Sequence, residues 1–312
     1  LAIDRLVSQY MSGLKSAAPV EELTPAAHKL YQSLIEPIEA RIRREDVICI
    51  VPDKALHFIP FAALIDSNGR YVIESFRLVY APSASALAYC IREAGKKPPP
   101  GREKILAIAN PEFDSKEFSL PALPDAEREA QEATSFYTDA VTLKRSDATE
   151  SRVRAALSQC DVAHFALHCI VEEKSPWLAA LVLANAKGNA TSGGASTDDG
   201  RLFLDEIYRI SLPRARLVVL SACETGLGHY YRGEGIVSLA RPFISAGVPQ
   251  VIASLWSVAS RETSQLMIEF HRERKSGGRK TVDALREAQL RMARSGLHPF
   301  YWASFIAIGS AD

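Results

Sequence analysis

Beyond about residue 104 the chain alternates short, continuously apolar runs with stretches whose apolar residues recur every three or four positions. That alternation limits the fold more than any other feature. Leu217-Val218-Val219-Leu220 and Val251-Ile252-Ala253-Ser254-Leu255 have no charged face, and a strand of that kind has to be covered on both sides. Residues 104–109, 140–143 and 162–167 read as strands in the same way, while 126–136 and 149–157 read as helices, the second capped by Thr149. A mainly parallel α/β sheet with helices on both faces follows from this order of elements.

The first third of the chain is organised differently. Residues 1–45 form a helical lead-in, with Leu30, Leu34, Ile35, Ile38 and Ile42 at helical spacing. Residues 46–150 read as a smaller α/β half. Strands are expected at 47–51 and 77–80, strands and short turns over 57–64 and 71–73, and a helix over 83–93 opened by Ser83. Lys96-Lys97-Pro98-Pro99-Pro100-Gly101 cannot continue that helix, because proline removes backbone donors, so it is a connector. The remainder, 151–312, carries a small and polar surface loop at 190–200. Two helices follow, one ending near Lys275 and one over 282–293, and a closing strand at 302–308.

With 47% hydrophobic residues the chain can bury a large core, and its 37 basic and 37 acidic residues cancel. No general field draws it to nucleic acid or to an anionic membrane. No apolar run reaches the roughly 18 residues of a membrane span, and the start at Leu1 reads as a piece cut from a longer chain. Five cysteines form neither a dense disulfide framework nor a metal knuckle, which suits a reducing cytoplasm. Cys49 and Cys90, each next to apolar residues, read as small buried hydrophobes.

Two reactive residues fall just past expected strand ends: His168 after 162–167 and Cys223 after 217–220. Ligands bind at that edge of open α/β sheets. A thiol is only slightly ionised at neutral pH and needs a base within hydrogen-bond reach, which an imidazole supplies. Glycines at 226, 228, 233 and 235 let backbone amides converge on a developing oxyanion, with the amide of Cys223 a natural donor. The Lys-Ser/Thr ending of a phosphate loop is missing. His164 and His168 form HxxxH, but four residues of strand span roughly 13 Å, too far to share one zinc. His164 therefore reads as a packed residue behind the site, and His57 as a satisfied, partly buried histidine. Trp256 and Glu224 stand at the same edge as substrate-pocket candidates, Glu234 is a further acid there, and Asp205 and Glu206 favour a helix start.

Several segments together resemble the CHAT peptidase family, relatives of caspases and separases. They are His164-Phe165-Ala166-Leu167-His168, Leu217 through Gly226, Gly233-Glu234-Gly235-Ile236-Val237, Gly247 through Trp256, Ile50-Val51-Pro52-Asp53 and Leu56 through Phe61. The resemblance runs from about Leu30 to Gly309. It implies a caspase-like fold with its catalytic part at 151–312, His168 and Cys223 as the catalytic pair, and an oxyanion hole from the backbone amides of Cys169 and Cys223. It also implies a cysteine endopeptidase with a protein substrate, no metal or organic cofactor, and control by a tetratricopeptide-repeat or sensor module. Cys169 departs from the glycine usual in that family, and the segment Ser257 through Thr263 lacks the acid that the resemblance leads one to expect near Ser260. Cys169 supports a competing reading, a catalytically silent scaffold, and a disulfide between Cys169 and Cys223 would be a way to lock the enzyme off. A tolerated small residue is the plainer account of Cys169.

Overall fold

A computed structural model describes residues 2–43, 45–98, 102–113, 118, 120–170, 179–185, 199–221, 223–225, 237–256 and 260–311; for 2, 223–225, 237–239 and 260 it describes the backbone path alone. Helices α1 (Ala2–Lys15), α2 (Val20–Leu34) and α3 (Glu36–Glu39) make up the lead-in. They are tied to the body: the Tyr10 hydroxyl donates to the Ala63 carbonyl at 3.1 Å, and His28 Nδ1 donates to the Ile65 carbonyl at 3.1 Å.

Strands β1 (Val47–Ile50) and β2 (Arg77–Tyr80) form as expected, but what lies between them differs. Residues 57–64 contribute to two 3₁₀ turns, Lys54–Phe58 and Phe61–Ala63, and 72–75 form a helical turn, α4 (Val72–Ser75). Pro60 has no donor for a sheet ladder. The Phe61 amide instead donates to the Tyr80 hydroxyl at 3.1 Å, and the Glu74 carboxylate accepts the Tyr71 amide at 2.8 Å to start α4. Burial of 59 and 61–64 is therefore achieved without strand pairing, while Ile65 makes one isolated antiparallel bridge to Tyr71.

Helix α5 (Ala84–Lys96) starts at Ser83, whose hydroxyl accepts the Ala86 amide. There follow β3 (Lys104–Pro111), α6 (Pro124–Ser135), β4 (Asp139–Arg145), α7 (Glu150–Leu157), β5 (Val162–Ala166), β6 (His168–Ile170), β7 (Ala180–Val182), β8 (Arg201–Phe203) and α8 (Leu204–Ile207). The chain closes with β9 (Leu217–Leu220), β10 (Cys223–Thr225), α9 (Val237–Ser245), β11 (Gln250–Ser254), α10 (Ser260–Lys275), α11 (Thr281–Arg294), α12 (Pro299–Trp302) and β12 (Phe305–Gly309). Thr149 does sit at the start of α7, but its hydroxyl faces Ser151 Oγ at 3.3 Å rather than a helix amide. Trp302 lies in α12, ahead of the closing strand.

Eight strands form one sheet in the order β1-β2-β12-β11-β9-β5-β3-β4, parallel throughout except where β11 meets β12. This is the mainly parallel α/β architecture expected. Every residue of β5, β9, β11 and β12 is buried, so the centre of the sheet is covered on both faces. Strands from both sides of residue 150 share this sheet. A second sheet, β10-β6-β7-β8, continues from the ends of β5 and β9.

One buried polar chain crosses the layer between sheet and helices. Arg274 donates to the Tyr137 hydroxyl at 3.2 Å, Tyr137 lies 2.9 Å from His271 Nδ1, and His271 Nε2 lies 3.0 Å from His164 Nδ1. His164 Nε2 ends the chain 2.8 Å from Glu129 Oε1. Burial, with the nearby His164 and Arg274, holds the pKa of His271 well below that of an ordinary imidazole. Every link can hold one donor and one acceptor: tyrosine to His271, His271 to His164, His164 to Glu129. His164 is thus fully occupied as a packed strand residue.

Candidate active site

Strands β5 and β9 are neighbours, with Phe165 opposite Leu220. A short step carries each chain out of the main sheet and into β6 and β10, which pair parallel with His168 opposite Cys223 and Cys169 opposite Glu224. Adjacent strands lie about 4.8 Å apart. The two residues chosen from strand ends therefore occupy opposed backbone positions, each opening a short strand instead of lying in a loop.

His168 is almost fully buried. Its Nε2 is 2.8 Å from the Pro121 carbonyl, which can only accept, so Nε2 carries the hydrogen and Nδ1 keeps a lone pair. Nδ1 has no hydrogen-bond partner among the described residues. Burial lowers the pKa of His168, and the bond to Pro121 opposes this in part, so the ring is neutral at pH 7. Phe113 meets the imidazole edge-on with centroids 5.9 Å apart, Phe118 backs Phe113 at 5.9 Å, and the Arg201 guanidinium lies 4.9 Å over the Phe118 ring. The imidazole is thereby tied to protein groups through Nε2 and one ring edge. The described groups leave Nδ1 as an unspent proton acceptor.

The segment that carries Pro121 is tied to the end of β3 two residues on, at Leu123. Asn110, at the end of β3, has a left-handed backbone with φ 42°, a conformation that asparagine tolerates better than most residues. Its Oδ1 accepts the Leu123 amide at 3.0 Å and its Nδ2 donates to Glu127 at 2.8 Å, while Glu127 pairs with Arg145 at 2.7 Å. Sequence reasoning missed Asn110 and Pro121. The Asn110-Pro111 pair, a common turn marker, was the available signal.

Cys169 follows His168 on β6 and so points to the opposite face of that strand. It is 2% exposed and belongs to the main hydrophobic core, so the methylene that glycine would lack is taken up by packing. Trp256 is also buried; its indole N–H donates to the Phe300 carbonyl at 3.1 Å and its ring stacks on Phe300. His57 is buried in the first 3₁₀ turn. Glu206 accepts the Phe203 amide at 2.9 Å and pairs with Arg154 at 2.7 Å, a structural role. The glycines at 226, 228, 233 and 235, together with Glu234, residues 257–259 and most of the 190–200 loop, lie outside the described residues, as do the side chains of Cys223 and Glu224. No described helix is long and apolar enough to cross a membrane.

The CHAT domain model matches residues 24–310. Tetratricopeptide repeat protein 28 of Homo sapiens is 28% identical over 92% of this chain and 13% of its own length, and the Mus musculus protein is likewise 28% identical with the same coverage. The chain thus spans about an eighth of these curated relatives. Among solved structures, the Saccharomyces cerevisiae separase–securin complex aligns with TM-score 0.52 at 13% identity, covering 82% of this chain and 15% of that one. The complex of the pro- and mature domains of Porphyromonas gingivalis RgpB, a gingipain, aligns with TM-score 0.52 at 10% identity, covering 99% and 76%. At these identities the likeness is one of fold, that of the caspase-like cysteine peptidases.

Proposed function

The chain belongs to the CHAT domain family, and from that premise we propose that it is a cysteine endopeptidase in which Cys223 is the nucleophile and His168 the general base. The observation that carries this reading is the parallel register of His168 with Cys223, together with the lone pair left at His168 Nδ1. In the reaction, Nδ1 takes the thiol proton and the sulfur attacks the peptide carbonyl. The backbone amides of Cys169 and Cys223 hold the oxyanion. The imidazolium then returns its proton to the departing amine, and water activated by the same imidazole hydrolyses the thioester.

Residues 151–312 supply this machinery in the proposal, with 46–150 as the supporting half and 1–45 as the lead-in. Glu224 and Trp256 are assigned to the substrate pocket; with its N–H committed to Phe300, Trp256 would contribute ring surface and not a hydrogen bond. The curated relatives are named for tetratricopeptide repeats, which supports a regulatory repeat module as partner; the substrate in this proposal is a specific protein, and the cysteine usage suits a reducing cytoplasm as the setting.

A peptide bearing an electrophilic acyloxymethyl ketone tests the nucleophile. The wild type should gain one adduct, mapped to Cys223, and Cys223→Ala should gain none. Equal labelling of the two would favour the silent scaffold, the reading that rests on Cys169.

Asn110 is a positioning residue in this scheme. Asn110→Ala should lower kcat by about tenfold with little change in KM, because the carbonyl that orients His168 loses its support. It should also cost about 1 kcal/mol for alanine in the left-handed region. Asn110→Gly removes that backbone cost but not the missing hydrogen bonds, so it should be the more stable variant and equally slow. Wild-type turnover in the glycine variant would show that Asn110 serves the backbone alone.

A further inference from the structure

A cleft of about 840 Å³ opens at the sheet edge opposite His168, where β3 and β9 begin. Its two sides differ in chemistry. One wall is apolar and comes from β1, β2 and α5, with Val79, Leu87, Ala94 and Ile91. Ile91 is 56% exposed, a large apolar side chain left uncovered at the rim. The floor holds Arg216, Arg274 and Lys275, and all three converge on Glu103, the one carboxylate among the described lining residues. Arg274 reaches it at 2.6 Å, Lys275 at 3.1 Å and Arg216 at 3.4 Å.

Three cations on one carboxylate leave an excess of positive charge at the floor. Lys97 adds to it from the side. Lys97 spends its ammonium on two neutral acceptors, the carbonyls of Leu212 and Pro213. Burial lowers its pKa, Glu93 opposes this, and Arg216 and Lys96 add to the lowering. Arg279 also lines the cleft but is matched by Glu273 at 2.9 Å.

We propose that this cleft binds a small organic anion, with a phosphate or carboxylate head against Lys97, Arg216 and Lys275 and an apolar body against Leu87 and Ile91. The volume lies within the roughly 300–1,000 Å³ of small-molecule sites. The cationic floor supplies head recognition, and the uncovered wall supplies apolar burial that a bare inorganic ion cannot use. Nothing in this depends on peptide cleavage, because the cleft and the His168 site lie at opposite ends of the strands.

Isothermal titration at low salt, with octyl phosphate, octanoate, inorganic phosphate and octanol as probes, tests it. The tighter of the two amphiphilic anions should bind one to one and at least tenfold more tightly than either inorganic phosphate or octanol. Ile91→Asp, at an exposed rim position, and Lys275→Gln, which leaves Arg274 on Glu103, should each weaken that binding about tenfold. Added salt should weaken it as well. Binding of inorganic phosphate or of octanol as tight as that of the amphiphiles would overturn the proposal. So would unchanged affinity in both variants.

Discussion

With His168 replaced by alanine, turnover of a cleavable peptide should fall about 10³-fold, within the range that one positioned general base contributes. The wild-type imidazole has its Nε2–H fixed on the Pro121 carbonyl and Nδ1 unspent on the strand that faces Cys223. Alanine removes the proton acceptor, leaving the thiol close to its ordinary ionisation. It also removes the donor to the carbonyl of Pro121, an exposed residue where water can take over, at a cost of about 0.5–1.5 kcal/mol. A urea titration separates that stability loss from the chemical one: the loss of rate should persist where the variant is fully folded. The pH profile gives a second readout. Burial disfavours the imidazolium, so the acid limb of kcat/KM should lie below the ordinary histidine value of 6.5. The linked effect on stability has a definite sign. Unfolded chain takes up the proton first as pH falls below 6.5, so the native state loses stability from there down to the lowered folded pKa, with no contribution above 6.5. His168→Ala should lack this segment of the stability curve. An acid limb above pH 7, or turnover within tenfold of wild type, would remove His168 as the base.

Why the proposed pair His168 and Cys223 stands out in the sequence while the groups around it do not is a matter of sequence distance. Strands such as Leu217–Leu220 and Gln250–Ser254 declare themselves through unbroken apolar runs, and a reactive side chain just past such a run is conspicuous. The Pro121 carbonyl belongs to a residue 47 positions from His168 and contributes only a backbone atom, which no residue-type pattern marks. His164 was readable as packed, but its partners His271 and Glu129 lie 107 and 35 residues away. The apolar run around Pro60 shows the converse limit. Short apolar segments look alike whether they pair in a sheet or bury themselves as 3₁₀ turns, and there the tertiary hydrogen bond from the Phe61 amide to Tyr80 decides. Cys169 was legible as a departure from glycine, but its alternation into the core needed the β6 register.

Glu103→Ala should destabilise the protein by about 3–5 kcal/mol, the usual consequence of removing one partner from a buried ion pair. Glu103 and Arg274 are both almost completely buried, and the carboxylate bonds Arg274 through two nitrogens as well as meeting Lys275 and Arg216. Without it Arg274 keeps the Tyr137 hydroxyl as a neutral partner while three cations face one another in a low-dielectric corner. Lys275 and Arg216 can turn toward solvent, whereas Arg274, at the head of the buried chain to His164, has the least room to do so. Glu103→Gln keeps the shape and an acceptor oxygen, so it isolates the charge and should cost less than alanine. The pH dependence distinguishes electrostatics from packing. Burial alone would raise the carboxyl pKa of Glu103, but the hydrogen bond and charge of Arg274 and the charge of Lys275 outweigh it and hold the pKa below the ordinary 4.5. The charge therefore contributes its full stabilisation above pH 4.5 and loses it as pH falls through the depressed folded value. In urea melts the wild type's lead over Glu103→Gln should be constant from pH 7 to about 5 and shrink on further acidification. A lead that stays unchanged down to pH 3, or an alanine variant within 1 kcal/mol of wild type, would mean that the three cations are already neutralised by solvent and that Glu103 is not what holds this edge of the sheet together.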